Sequence, residues 1–372
     1  MKWSIITGEY PPERGGLADY SRLVARGLAE AGDDVEVYAP ASRDPRIPEP
    51  PVIVRNLDDR FGPRALLELN RLLKPRRDGE VLVQYVPQAF GMKGLNLAFA
   101  LWLYSMRDAR ISLMFHEVAY PVIRGQPLRH RALAATNRLM ALLAARSARR
   151  ILVSTTAWFD LVRSLARAGT RIEWCPVPSN VAVAAGAGAP EVRKTFAPNG
   201  RRLIGHFGTY GPLIVGPLAD CIRALAAGKD DRSILLMGRG ARRFRDCLLA
   251  GSPELSGKVH ATGGLSDRDL SRHVATCDLM IQPYPDGVSS RRTSIMLALS
   301  HGVPAVTNSG EATEACWKDG AVALCASTRS IAQTAERVLS DEGELRRLRA
   351  DSRRFYAERF DIRHTIEALR QP

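Results

Sequence analysis

The stretch that decides the fold is residues 2–40, KWSIITGEYPPERGGLADYSRLVARGLAEAGDDVEVYAP. It opens with a short apolar run, Lys2–Thr7, and passes through a loop rich in glycine and proline. A helical pattern then covers Leu17–Ala31, and Val35–Tyr38 is the next apolar run. A strand, a loop and a helix that leads to a second strand predict the first βαβ unit of a parallel sheet.

The same alternation continues along the 372 residues of the chain. Further strands are predicted at Val81–Val86, Ile111–Phe115, Ile151–Ser154, Ile172–Trp174, Leu203–Phe207, Ile234–Met237, Val259–Thr262, Leu279–Ile281, Ala305–Thr307 and Val322–Leu324. Residues 182–200 are rich in Ala, Gly and Pro and are predicted to be a linker. We therefore expect two doubly wound α/β domains, residues 1–181 and 201–354, and a C-terminal helix at 355–372 that returns to the first domain. Ligands of such sheets bind at the carboxyl ends of the strands, so the site is expected in a cleft between the domains.

The net charge of +14 is distributed over the whole chain. Residues 1–180 carry 8 excess positive charges and residues 181–372 carry 6, without a basic tail. This distribution favours an anionic substrate, an anionic acceptor or a membrane surface over nucleic acid.

The apolar segments are short. The longest, Leu95–Tyr104, is too short to cross a bilayer, and the apolar run among the first residues is too short for a signal peptide. A cytoplasmic protein, at most peripheral at the inner membrane surface, is expected.

The cysteines show no metal-binding spacing. They contain no CxxC pair, and reduced, buried thiols account for them. The six are Cys175, Cys221, Cys247, Cys277, Cys316 and Cys325. No metal site is expected.

The loop Gly8–Ser21 contains the first candidate site. Gly15 and Gly16 directly precede the predicted helix, where backbone amides and the helix dipole favour an anion. The alternative is an ordinary loop between a strand and a helix.

Residues 8–40 resemble the opening of GT-B glycosyltransferases of the retaining family 4 type. The resemblance continues through VLVQYVP (81–87), MFHEVAYP (114–121), ILVSTTAWFDLV (151–162), LIGHFGTYGP (203–212), ILLMGRGA (234–241) and residues 259–310. It implies two Rossmann-like domains that face each other across a cleft, the first on the acceptor side and the second binding the donor. It further implies a nucleoside-diphosphate sugar as co-substrate, an unidentified acceptor, transfer with retention, and neither a metal ion nor a cofactor.

The resemblance assigns roles to several residues. It places His116 against the donor sugar, where a neutral imidazole can donate to a hydroxyl while its other nitrogen is fixed by a partner. Gly238 and Arg239 match a nucleotide-side glycine loop, and Gly264 and Leu265 match a turn that meets the nucleobase. A loop histidine and simple helix capping are the alternatives for these motifs.

The sequence also departs from the family pattern. The family's two glutamates, eight positions apart, fall on Ser289 and Leu297. The turn Gly208-Thr209-Tyr210 is predicted to bind the donor, although Thr209 stands where the family has an arginine and Val215 lies near the position of its lysine. The donor contacts of those four side chains are therefore missing.

A cluster of polar residues at a predicted helix start can replace the lost charges. It consists of Ser289, Ser290, Arg291, Arg292, Thr293 and Ser294. Amides, hydroxyls and two guanidinium groups at the positive end of a helix dipole form a suitable cradle for a diphosphate, and Arg291 is also assigned a catalytic role. The alternative is a solvated arginine pair.

Two other functions stay open. A GT-B nucleotide-sugar epimerase would share the fold, with more carboxylates in the cleft. A catalytically degenerate partner subunit would explain the missing glutamates. The donor sugar, the base, the acceptor and the oligomeric state do not follow from the sequence.

Overall fold

Short runs of buried apolar residues form the strands of two parallel sheets. The computed structural model describes residues 1–13, 15–46, 48–120, 122, 125–186, 189–227 and 229–371. Residues 1–176 and the chain from 362 onward make the first of two units, and residues 177–361 make the second.

The strands of the first unit are β1 (Lys2–Thr7), β2 (Asp34–Pro40), β3 (Ile53–Leu57), β4 (Glu80–Tyr85), β5 (Ile111–Phe115), β6 (Arg150–Val153) and β7 (Arg171–Trp174). Within the described part of this unit, these seven strands pair in the order β3-β2-β1-β4-β5-β6-β7. The order reverses between β1 and β4, so the carboxyl ends of these two strands form the switch point where such sheets bind ligands.

Helices cover the sheet of the first unit and bury its apolar side chains. They are α1 (Gly16–Glu30), α2 (Pro63–Leu73), α3 (Leu97–Ser105), α4 (Leu128–Ser147) and α5 (Phe159–Leu165). Phe61, Phe90 and Phe99 pack together in this core, with ring centroids 4.0–5.2 Å apart. Each such buried ring contributes roughly 1.5–3 kcal/mol to stability.

The second unit repeats this architecture. Its strands are β8 (Arg202–Phe207), β9 (Arg232–Met237), β10 (Val259–Gly263), β11 (Leu279–Gln282), β12 (Ala305–Asn308) and β13 (Ala323–Cys325). Its helices are α6 (Pro190–Phe196), α7 (Pro212–Ala226), α8 (Ala241–Gly251), α9 (Asp267–Thr276), α10 (Thr293–Ser300), α11 (Ile331–Ser340) and α12 (Glu342–Arg359). The described strands pair in the order β10-β9-β8-β11-β12-β13, which puts the switch point between β8 and β11.

The last helix, α13 (Ile362–Arg370), belongs to the first unit and packs on α1. The two helices approach closely at Gly27, where an added Cβ atom would lie 2.8 Å from the Ile366 side chain. Arg150 at the start of β6 donates a hydrogen bond to the carbonyl oxygen of Ala368. The C-terminal helix is thereby fixed to both a helix and a strand of the first unit.

The predicted strands are all present, with boundaries within two residues of the prediction. Strand β3 was not predicted; it is an edge strand whose residues Ile53 to Asn56 are largely exposed to solvent. Its polar residues, Arg55 and Asn56, hide the apolar pattern of a strand. The prediction failed there because an edge strand needs fewer apolar side chains than a central one.

The segment predicted as a linker, 182–200, contains helix α6 and lies in the second unit. Residues 187 and 188 of that segment lie outside the described residues. The first unit ends at 176 rather than 181, and the second continues to 361 rather than 354.

Across the described ranges, the structure contains no helix with the length and apolar character needed to span a bilayer.

Candidate functional site

The carboxyl ends of β8, β9 and β10 in the second unit are joined by glycine turns. Gly238, which follows β9, has a φ of +107°, and an added Cβ atom there would lie 2.4 Å from the Gly208 carbonyl oxygen. The Gly238 amide donates to the Gly263 carbonyl oxygen at 3.0 Å. Only glycine allows both this backbone conformation and this close approach. The structure therefore brings the turns after the three strands together.

These turns carry several of the predicted donor-binding residues. Tyr210 donates a hydrogen bond to the Met237 carbonyl oxygen at 3.0 Å, and burial raises the pKa of its hydroxyl. The Arg239 side chain lies beside Gly264, where an added Cβ atom would be 3.6 Å from the arginine Cγ atom. Arg239 and Gly264 are exposed, and the neighbouring Leu265 is half-buried. Backbone amides, one arginine and one apolar side chain thus line a single edge of the sheet.

Arg291 and Arg292 meet the carboxylate of Asp286. Arg291 Nη2 lies 2.7 Å from Asp286 Oδ2, and Arg292 contacts the other carboxylate oxygen. Burial alone would raise the pKa of Asp286, but Arg292 and Arg291 together lower it below its usual value. The Arg292 guanidinium group also lies over the Tyr284 ring, 5.0 Å from its centroid. The predicted pair therefore exists as an ordered, partly buried triad with an acidic partner that the sequence analysis missed.

Helix α10 begins directly after this triad, at Thr293. Its first-turn hydroxyl, that of Ser294, is within 2.7 Å of the Tyr284 hydroxyl. Leu297, at the position that the resemblance matched to a glutamate, is completely buried with the apolar face of the helix. This position has no room for a solvent-facing carboxylate and serves as core.

The two serines before the arginines are buried, and a carboxylate binds one of them. Ser290 donates its hydroxyl to Glu314 Oε1 at 2.5 Å, and its amide also donates to this carboxylate. Trp317 Nε1 donates to Glu314 Oε2 at 2.8 Å. The Ser289 hydroxyl has no hydrogen-bond partner among the described residues. Glu314 thus holds the loop before α10, and the Ser290 hydroxyl is engaged within the protein.

In the first unit, Gln84 lies near the end of β4, at the switch point, and His116 follows the neighbouring strand β5. His116 follows β5, as predicted, and its Nε2 donates to Gln84 Oε1 at 2.8 Å. The Tyr20 ring packs edge-on against the imidazole, with centroids 4.7 Å apart. Burial lowers the pKa of His116 to about 3, so the ring is neutral at pH 7.

This arrangement changes the predicted role of the histidine. Because Nε2 carries the proton, Nδ1 carries the lone pair, and Nδ1 has no hydrogen-bond partner among the described residues. The free nitrogen can accept a hydrogen bond from a hydroxyl but cannot donate one. Gln84 is a partner that fixes one ring nitrogen, as expected, and in this tautomer the other nitrogen would accept from a hydroxyl and not donate to it. The contact of His116 with the donor sugar stays a prediction.

The N-terminus of α1 carries Gly15 and Gly16, and a carboxylate lies against it. An added Cβ atom at Gly15 would be 2.6 Å from Glu9 Oε2. Burial raises the pKa of Glu9, and the nearby Glu13 and Glu117 raise it further. Glu9, Glu13 and Arg60 line a cavity of about 60 Å³ beside this helix end. Gly15 and Gly16 begin the helix as predicted, and the Glu9 carboxylate lies beside Gly15 without forming a hydrogen bond that caps the helix.

The residues that sequence reasoning missed are Gln84, Asp286, Glu314 and Glu9. Gln84 could have been found, because it is the one polar residue inside the apolar run VLVQYV. Glu314 had no local signal, since the loop that it holds is 24 residues away in the chain.

Comparisons with known proteins identify the fold. No protein-family model and no curated protein matches the chain. Among solved structures, sucrose-phosphate synthase from Thermosynechococcus elongatus superposes with a TM-score of 0.74 at 14% identity, covering 99% of this chain and 97% of that one. WaaG, a glycosyltransferase involved in lipopolysaccharide biosynthesis, gives 0.69 at 16% identity, with 99% and 98% covered. Anabaena HepE in complex with UDP-glucose gives 0.66 at 16% identity, with the same coverage.

The chain has the GT-B fold. The expected architecture of two Rossmann-like α/β sheets is confirmed. At identities of 14–16%, the likeness establishes the fold and does not establish the reaction.

Proposed function

We propose that this GT-B chain is a glycosyltransferase that moves a sugar from a nucleoside-diphosphate sugar to an acceptor with retention of configuration. The observation that carries the proposal is the arginine pair beside the N-terminus of α10, at the carboxyl end of β11. Glycine turns after β8, β9 and β10 extend the same edge of the sheet. HepE, which shares the fold, is described in complex with UDP-glucose.

The diphosphate would be held by Arg291 and Arg292 with the first amides of α10. In the ligand-free structure both arginines bind Asp286. A diphosphate carries more negative charge than one carboxylate and offers more oxygen acceptors, so it can compete for the outer faces of both guanidinium groups. As the glycosidic bond breaks, charge grows on the leaving phosphate, and fixed positive groups stabilise that charge most in the transition state. The proposal therefore needs no metal ion.

His116 in the first unit would orient the transferred sugar. Its neutral Nδ1 accepts a hydrogen bond from a sugar hydroxyl, and Gln84 keeps the ring in the required tautomer. An accepting group near an electron-poor, oxocarbenium-like sugar avoids placing positive charge beside it.

Retention follows from departure and attack on the same face of the sugar. The step uses no enzymic nucleophile: the departing phosphate oxygen takes the proton of the acceptor hydroxyl as the new glycosidic bond forms. The electron pair of the broken bond stays on the nucleoside diphosphate. The Arg pair and the amides of α10 neutralise this product as it forms.

The test is a donor panel with product analysis. Glucose, galactose, N-acetylglucosamine and mannose conjugates of UDP, GDP, ADP and dTDP would be incubated with the protein, with and without EDTA. Nucleoside diphosphate release would be measured, and the anomeric configuration of the product read by NMR. Release with retained configuration in EDTA supports the proposal. An inverted product refutes the mechanism, and the absence of release from every donor refutes the function.

The two alternatives left open by the sequence gain no support from the comparisons. An epimerase would convert one nucleotide sugar to another in the same panel without releasing a nucleoside diphosphate. A degenerate subunit would leave every donor unchanged.

A further inference from the structure

A second histidine, His206, lies at the carboxyl end of β8 and is 2% exposed. Its Nδ1 is 2.9 Å from the carbonyl oxygen of Ile281 on the adjacent strand β11. Its Nε2 is buried and has no hydrogen-bond partner among the described residues. Buried polar atoms in proteins are nearly always paired, so an unpaired one at a sheet's switch point needs an explanation.

The contact with Ile281 fixes the tautomer of His206. A carbonyl oxygen only accepts, so Nδ1 carries the proton. Burial lowers the pKa of the ring to about 4, and the imidazole is therefore neutral at pH 7. Nε2 then holds a lone pair and no proton, so it can accept a hydrogen bond.

The turn Gly208–Tyr210 covers this nitrogen. An added Cβ atom at Gly208 would lie 3.1 Å from His206 Nε2, and the Tyr210 ring packs edge-on against the imidazole at 5.3 Å. Tyr210 has a φ of +56°, a left-handed conformation that is strained for a residue with a side chain. Gly211 follows it with an open backbone position, since an added Cβ atom there meets no described atom within 4 Å. The turn over Nε2 therefore contains a strained tyrosine that is followed directly by a glycine.

We infer that His206 is a donor-binding residue whose Nε2 accepts a hydrogen bond from a hydroxyl of the nucleotide sugar when the Gly208–Tyr210 turn moves aside. This inference rests on the proposed function. A lone pair repels phosphate oxygens, so the partner is a hydroxyl and not the diphosphate. Leucine at 297 cannot accept a hydrogen bond, and the serine at 289 accepts weakly. His206 supplies an uncharged acceptor to a site that lacks the carboxylates at those two positions.

Three variants test the inference. In His206→Asn the amide can still donate to Ile281, as Nδ1 does, but the Nε2 acceptor is lost. In His206→Gln the longer side chain returns an acceptor to the place of Nε2. His273→Asn is the matched control, because His273 in α9 makes the same contact from Nδ1 to a carbonyl, that of Asp269, on an exposed surface.

Affinities would be measured by calorimetry with UDP, GDP and ADP, their 2′-deoxy analogues and their glucose conjugates. We expect roughly tenfold weaker binding for His206→Asn, recovery to within about threefold for His206→Gln, and no change for His273→Asn. A loss seen with the nucleoside diphosphate and absent with its 2′-deoxy analogue identifies the ribose as the partner. A loss seen only with the glucose conjugates identifies the transferred sugar.

Several outcomes overturn the inference. A folded His206→Asn protein with wild-type affinity for every probe shows that Nε2 meets no ligand. Equal weakening in the asparagine and glutamine variants shows a structural role. If His206→Asn does not fold, Gly208→Ala takes its place, because the added methyl group crowds Nε2 and leaves His206 intact; unchanged affinity then refutes the inference. Failure of the wild-type protein to bind any probe refutes the proposed function and this inference together, and the other outcomes leave the proposed function standing.

Discussion

His116 Nε2 lies 2.8 Å from Gln84 Oε1, so a completely buried amide on β4 sets the tautomer of a histidine at the end of β5. The two strands are neighbours in the sheet, and Gln84 is paired in register with Met114, two residues before the histidine. The imidazole is consequently held by the sheet and presents Nδ1 as an acceptor. A loop histidine without a function would not need a polar residue in the middle of an apolar strand.

Replacement of His116 by alanine is expected to remove turnover and to keep nucleotide binding. The side chain is proposed to contact the transferred sugar and not the nucleotide, so its loss affects the transition state. We expect kcat to fall by a hundredfold or more, on the scale of a lost transition-state contact, with the Kd for nucleoside diphosphate unchanged. His364→Ala, a half-buried histidine in α13 of the same unit, is the control. Turnover within a few-fold of wild type would show that His116 is an ordinary loop histidine without a role in transfer.

Gln84→Glu is expected to move the pH profile of turnover. A carboxylate beside Nε2 favours the protonated ring, so the pKa of His116 should rise from its value of about 3. The wild-type ring stays neutral well below pH 6, whereas the variant ring becomes protonated, and loses its Nδ1 acceptor, at a higher pH. The acid limb of kcat against pH should therefore shift upward. An unchanged limb would show that the reaction does not depend on the Nδ1 acceptor of His116.

Arg291→Ala is expected to weaken nucleoside diphosphate binding by roughly 1.5–3 kcal/mol, about 10- to 150-fold, the scale of charge-assisted hydrogen bonds. Arg292→Ala should behave similarly, and the double variant should bind more weakly than either. Arg354→Ala is a matched control, because Arg354 also pairs with an aspartate in the second unit, Asp351, at 2.7 Å. Calorimetry that shows a lower melting temperature but unchanged affinity in both single variants and in the double variant would reduce the pair to a structural contact with Asp286.

Nucleotide sugars with 2′-deoxyribose are expected to be tolerated unusually well. Ser289 and Leu297 stand where the family that the sequence resembles has two glutamates, and Leu297 is buried in the core. Neither side chain accepts a hydrogen bond as strongly as a carboxylate. A site rejects a deoxy analogue strongly only when a buried group is left unpaired by it. Steady-state kinetics with matched ribo- and deoxyribo-donors should show a loss of kcat/KM well below a hundredfold. A larger loss would mean that another acceptor in the second unit, such as His206 Nε2, binds the ribose strongly.

The sequence predicted the fold better than it predicted the site. Buried apolar runs alternate with helix-length segments, and this pattern located every described strand except the polar edge strand Ile53–Leu57. The site depends on pairs that are distant in sequence, such as Ser290 with Glu314, which no local pattern reveals. The pattern around Gly15 predicted an anion site and gave no sign that the Glu9 carboxylate lies beside it. The position of that side chain depends on the loop conformation, which the sequence does not specify. The arginine pair was located, but its partner Asp286 was not considered.

The central claim, that the second unit binds a nucleoside-diphosphate sugar, is tested most directly by thermal stabilisation with the donor panel. A ligand that binds only the native state stabilises it by about 2.7 kcal/mol at a hundred times its Kd, which raises the melting temperature by several degrees. We predict such a rise for one nucleotide family and a much smaller rise in the Arg291→Ala, Arg292→Ala double variant. No rise with any nucleoside diphosphate or nucleotide sugar, at millimolar concentration, would contradict the account.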